Sequence, residues 1–119
     1  MWTWDQSAGT MTRGKSVFRG YSGRDAGKNN PALQRAAGIG PIPQGRWTIG
    51  APYASRNTGP YTLPITACDG TDTCGRSAFR IHGDSIASPG TASHGCIILP
   101  RLVREAVWNS GDHDLLVVE

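Results

Sequence analysis

The chain has 119 residues and a formal net charge of +3. That length fits one folding unit, residues 1–119, with a single modest core, and excludes two. Sixteen glycines and eight prolines with no fixed repeat cut it into short segments, which excludes a helix bundle and predicts a turn-rich, mainly β (α+β) fold.

Trp2–Asp5 and Thr10–Thr12 flank Gln6-Ser7-Ala8-Gly9, a predicted hairpin. Lys15–Tyr21 reads as a further strand, and Ser22–Asn30, rich in glycine, charge and asparagine, as a loop. Asn30-Pro31 is a helix start and Gly38 a stop, which predicts a short helix to about Ala37. Gly40–Gly45 is a rigid turn into a strand at Arg46–Ala51, and Tyr61–Ala67 is another strand after a loop at Arg56–Pro60. Ala78–His82 is a strand ending at His82, Gly83–Ser93 a loop, and Cys96–Leu99 a β-prone run. Pro100 suits the first position of a helix whose apolar face is read as Leu102, Val103, Ala106 and Val107, with Arg101, Arg104 and Glu105 off it. Arg101 and Glu105 are four apart and can pair. Gly111 follows that helix, and Leu115–Val118 is the last strand.

Ten of the twelve basic residues are arginine, whose planar fork of donors matches carboxylates. They are scattered and not interleaved with stacking aromatics, so an acidic substrate is expected and nucleic acid is not. No apolar stretch is long enough to cross a membrane, and Met1–Asp5 lacks the basic start and apolar core of a signal peptide. The expectation is neither membrane insertion nor signal-directed export.

The residues that carry chemistry are Ser93-His94-Gly95-Cys96 with His82 upstream. A cysteine attacks as its thiolate, and a nearby histidine can take that proton and return it to a leaving amine. Gly95 lets the backbone turn sharply, and the N–H groups of Gly95 and Cys96 are candidate donors to a developing oxyanion. His82 closes one strand and Cys96 opens the next, an order that lets strand ends bring the two together. Cys68 and Cys74 flank a turn-rich segment and can close a small disulfide loop, or remain free thiols. The cysteine spacing does not suit a metal site, and the chemistry calls for no cofactor.

The stretch Ile81-His82-Gly83-Asp84 through Ser93-His94-Gly95-Cys96-Ile97 resembles the signature of the YkuD-type L,D-transpeptidases. Gly40-Pro41-Ile42-Pro43-Gln44-Gly45-Arg46-Trp47-Thr48-Ile49 resembles a stretch of the small L,D-transpeptidase-like toxins (the Tlde family) delivered by type VI secretion. Tyr21-Ser22-Gly23 and Asn29-Asn30-Pro31 fit that branch, so the resemblance runs from about Phe18 to Leu99. It implies a β-sandwich with one or two short helices. It also implies a thioester on Cys96 formed from the diaminopimelate–D-alanine bond of a peptidoglycan tetrapeptide stem, with His82 as base. The Gly83 carbonyl, or alternatively Asp84, would orient the ring; His94 would shape the site or line the oxyanion pocket, and Ser93 would hold its loop by hydrogen bonds. Water as acceptor gives L,D-carboxypeptidase action, and an amine gives exchange or transpeptidation.

Two features depart from cell-wall-building members: a shorter loop between His82 and Ser93, and Ile98 where arginine or asparagine is usual. Arg80 or Arg101 is then a candidate for the substrate carboxylate, and Trp47 a candidate to line the cleft. The resemblance further implies delivery without a signal peptide, action in a target-cell periplasm, a secretion adaptor and an immunity protein. The competing readings are another cysteine peptidoglycan hydrolase (endopeptidase or amidase), which usually places its cysteine before its histidine, and a non-catalytic wall-binding module.

Overall fold

A computed structural model describes all residues from Met1 to Glu119. The first hairpin is β1 (Trp2–Asp5) against β2 (Thr10–Arg13), with Trp4 opposite Met11. The predicted strand at Lys15–Tyr21 is two strands, β3 (Ser16–Arg19) and β4 (Tyr21–Ser22), parted at Gly20. The reason is local crowding: a Cβ at Gly20 would run into the Ile98 carbonyl and the Leu99 side chain, so only glycine passes this corner. The chain then adds β5 (Gly45–Ile49), β6 (Tyr53–Ser55), β7 (Gly59–Ala67), β8 (Arg80–His82) and β9 (Ile97–Ile98). It ends with α1 (Arg101–Asn109) and β10 (Asp114–Val118).

The strands lie in the order β3-β2-β1-β10-β5-β7-β8-β9-β4, with β6 paired to β7. Most pairs are antiparallel; β1–β10 and β8–β9 are parallel. Its two edge strands, β3 and β4, are separated by Gly20 alone, so the sheet nearly closes on itself. The fold is mainly β with one short α-helix.

Period-2 alternation builds the core. Trp2 and Trp4 of β1, Trp47 and Ile49 of β5, and Leu115 and Val117 of β10 point inward and are buried, with Leu63, Ile81 and Ile97 beside them. Each such side chain contributes roughly 1.5–3 kcal/mol by leaving water.

Two helical expectations need correction. The segment after Asn30 forms only a 3-10 turn at Pro31–Leu33, although Asn30 Oδ1 does cap it by accepting the Ala32 N–H at 3.1 Å. Seven residues are too few to offset helix nucleation, and the Gln34 carbonyl is drawn to Arg76 Nη1 at 2.7 Å instead. In α1, Leu102 is 79 % exposed while Arg104 is buried beside Val107. The inward stripe runs through 103, 104 and 107, because α1 packs on β7 and β8 at that angle.

Candidate active site

Ile81 pairs with Ile97, and both sit in the core. Alternation therefore turns their neighbours, Arg80 and His82 on β8 and Cys96 at the entry to β9, to the other face. There they line an open cleft of about 1230 Å³ together with Gly83, His94 and Arg104.

His82 is 4 % exposed, and its Nδ1 lies 2.9 Å from the Gly83 carbonyl. A carbonyl only accepts, so this bond places the proton on Nδ1 and leaves Nε2 as the acceptor. Burial holds the imidazole below its ordinary value of 6.5, against the Gly83 bond that raises it; Arg104 and Arg80 lower it further and Asp84 raises it. Burial likewise raises the Cys96 thiol above its ordinary value of 9.0, partly offset by the Arg80 N–H and by the charges of Arg80 and Arg76. The resting pair is therefore neutral thiol and neutral imidazole, with proton transfer left to the moment of attack.

Two pH effects follow. Iodoacetamide labelling of Cys96, read site by site by mass, is expected to rise with an inflection above 9.0. The unfolded chain protonates His82 at about pH 6.5 and the folded chain only below that, so the stability this residue supplies is complete above 6.5 and is lost as pH falls through that value. Melting temperature against pH in the parent and in His82→Gln checks this: the parent should lose more between roughly pH 7 and 5.

The turn before Cys96 is held on every side. Ser93 Oγ donates to the Cys96 carbonyl at 2.6 Å and accepts from the N–H groups of Gly23 at 2.8 Å and Gly95 at 3.1 Å. That exhausts a hydroxyl. It also corrects an expectation: the Gly95 N–H is bonded to Ser93 and is not free for an oxyanion. Ser22 Oγ donates to the Gly95 carbonyl at 2.9 Å. Gly95 has φ +139°, and a Cβ there would collide with the Arg76 guanidinium and crowd Phe79. His94 is exposed at the rim, its Nδ1 3.1 Å from the Gly38 carbonyl.

Asp84 does not orient His82. Its carboxylate accepts from Tyr21 Oη at 2.5 Å, from the Ser85 N–H at 2.8 Å and from the Gly90 N–H at 3.1 Å. Tyr21 Oη in turn accepts the Ala92 N–H at 3.0 Å, and burial together with the Asp84 bond pushes its pKa up to about 12. This clamp closes the loop between His82 and Ser93. Tyr21→Phe removes one donor and one acceptor and is expected to cost about 1–2 kcal/mol in denaturant unfolding. The amides of Gly90 and Ala92 should then exchange faster than in the parent.

Other candidates lie elsewhere. Trp47 is 2 % exposed, donates to the Pro43 carbonyl at 3.2 Å and meets Phe79 edge-on at 5.1 Å, so it packs behind the cleft wall. Arg101 is exposed, paired to Glu105 at 2.8 Å and placed over the Tyr61 ring at 4.7 Å, outside the cleft. Cys68 and Cys74 are not bonded: Cys68 Sγ faces Thr48 Oγ1 at 3.5 Å, and Cys74 Sγ the Asp72 carbonyl at 3.8 Å. No three His, Cys, Asp or Glu side chains converge as a metal site, and no helix is long and apolar enough to cross a membrane.

Two arginines that sequence reasoning did not single out lie in the cleft. Arg76 Nη1 donates to the carbonyls of Gln34 (2.7 Å) and Pro41 (2.8 Å), and its Nη2 to those of Gly40 (2.8 Å) and His94 (3.0 Å). It thus ties the Gly40–Gly45 turn to the Cys96 turn. The helical pattern places Arg104 off the apolar face of α1, and the packing of that helix turns it inward.

A mainly-β, nearly closed sheet thus carries a cysteine and a carbonyl-tethered histidine at adjacent parallel strands, in a cleft lined by arginines. The model of the Tlde1 domain matches residues 16–115, and the chain belongs to that family, the type VI secretion L,D-transpeptidase effectors. It is accordingly a type VI antibacterial effector of the L,D-transpeptidase kind, with peptidoglycan as its field of action. No curated protein matches the chain at a significant level.

Proposed function

We propose that this effector opens the diaminopimelate–D-alanine bond of peptidoglycan tetrapeptide stems through a Cys96 thioester, as an L,D-carboxypeptidase, an L,D-transpeptidase exchanging D-amino acids, or both. The observation that carries the reading is the 2.9 Å contact between His82 Nδ1 and the Gly83 carbonyl. With Nδ1–H held by the Gly83 carbonyl, Nε2 is the base in the cleft that also holds the Cys96 thiol.

His82 Nε2 takes the thiol proton as Cys96 Sγ attacks the carbonyl carbon. The charge on the carbonyl oxygen falls to the Cys96 N–H, since Ser93 holds that of Gly95. The tetrahedral adduct collapses, the C–N bond breaks, and the imidazolium protonates the departing D-alanine amine. Water or an incoming amine then attacks the thioester with His82 as base, giving a tripeptide stem or an exchanged one and restoring the thiol. The cations Arg76, Arg80 and Arg104 line the cleft, while Asp84, the one carboxylate in its lining, is held by Tyr21. That balance suits a substrate rich in carboxylates.

In this reading the protein acts in the target-cell periplasm, and a cognate immunity protein in the producer covers the same cleft. Delivery through the secretion apparatus or an adaptor follows from the family. The test is the mass profile of tetrapeptide muropeptides after incubation with the protein. Loss of one alanine, or gain of an added D-amino acid, supports the proposal. Cleavage within cross-links or at the sugar–lactyl bond, or an unchanged profile, overturns it in favour of another hydrolase or a binding module.

A further inference from the structure

Arg104 is 5 % exposed, and its Nε and Nη1 are buried with no hydrogen-bond partner. It takes part in none of the ion pairs; Glu105, the nearest acid on α1, is committed to Arg101. A buried guanidinium without a partner is costly and points to a ligand that completes it. The guanidinium lines the cleft and lies against Gly83: a Cβ on Gly83 would sit 2.9 Å from Nη1. Gly83 directly follows His82 and gives it its carbonyl partner, so the Arg104 guanidinium lies beside the His82 peptide. Arg104 therefore stands on the base side of the cleft, where the leaving amine departs in the proposed reaction. In a C-terminal amino acid the carboxylate is two bonds from that amine.

We propose that Arg104 binds the free C-terminal carboxylate of the residue that leaves, and that of a free D-amino acid entering as acceptor. This rests on the reaction assigned above and makes it specific for a terminal residue. The same fork then selects both leaving group and acceptor, and water serves when no amino acid occupies it. Arg104 touches substrate in this assignment, and Gly83 is small so that it can lie against the His82 peptide.

The test compares a stem tetrapeptide ending in D-alanine with the same peptide ending in D-alaninamide. The parent should turn over the amide with kcat/KM lower by about tenfold or more, since one charge-assisted contact is lost. In Arg104→Met the two substrates should become equivalent, with the loss mostly in KM, and Arg104→Lys should restore part of the preference. Equal rates on both substrates in the parent overturn the proposal, and so does an unchanged preference in a folded Arg104→Met.

A second measurement needs no turnover and survives a poorly folding variant. In Cys96→Ala, the His82 imidazole is titrated by NMR with and without D-alanine. The groups facing it are Arg104, Arg80 and Asp84. Neutralising Arg104 should raise the His82 pKa, with D-alaninamide giving no rise; no shift with D-alanine overturns the carboxylate site. A D-alanine shift with no stem turnover in the parent would sustain the site and reject the peptidoglycan chemistry.

Discussion

Cys96→Ala is expected to lower stem-peptide turnover by on the order of 10⁴-fold or more while leaving the fold intact. In the proposed mechanism the thiol supplies the only bond to the acyl group, and nothing else in the cleft replaces it. Its side chain is half-buried, and its sulfur makes one long hydrogen bond, to the Ala78 carbonyl at 3.8 Å, so losing the sulfur should cost little stability. Melting temperature and product masses measured on the same sample separate the two effects. Cys96→Ser should be nearly as inactive, because burial lowers the basicity of His82 and its partner is a carbonyl, not a carboxylate, which leaves it a weak base for an alcohol. If Cys96→Ala matches the parent in turnover, the thioester mechanism is wrong.

Arg76→Met is expected to cost about 2–4 kcal/mol of stability. Four carbonyls from three segments lose their donor together, and bonds to a charged donor contribute about 1.5–3 kcal/mol each when isolated. The total falls short of the sum because the four share one group and the site is half-exposed, so water can replace part of it. For a chain of this size that is roughly a 10 °C fall in Tm. The same change releases the Cys96 turn, because Arg76 holds the His94 carbonyl. At temperatures where the variant is folded, turnover should fall as well. Arg76→Lys should recover only part of both, since an ammonium cannot reproduce the two-nitrogen fork. A folded Arg76→Met with parental Tm and turnover would show that the four contacts are idle.

The mainly-β class, the first hairpin and the last strand were legible in the sequence, because alternation and turn residues are local signals. So was the neighbourhood of Cys96, His82, Gly83 and His94: strand ends, a loop and a glycine turn place them with little help from the rest of the chain. The split at Gly20 was not legible, since it answers to the Ile98 carbonyl far along the chain. Nor was the Asp84 bond to Tyr21, which spans 63 residues. Adjacency to His82 in sequence suggested a ring contact that the sheet geometry redirects.

A thiol and an imidazole at the start of one strand and the end of another are local facts, readable along the chain. Which arginines face them depends on packing between distant segments. A guanidinium on a long, flexible stem reaches wherever packing leaves room, and its charge makes it look solvent-exposed by rule. Arg101 and Arg104 sit on one short helix, yet one lies outside over Tyr61 and the other is buried against Gly83. The angle at which α1 crosses β7 and β8 separates them, and that angle is set by contacts between segments distant in the chain.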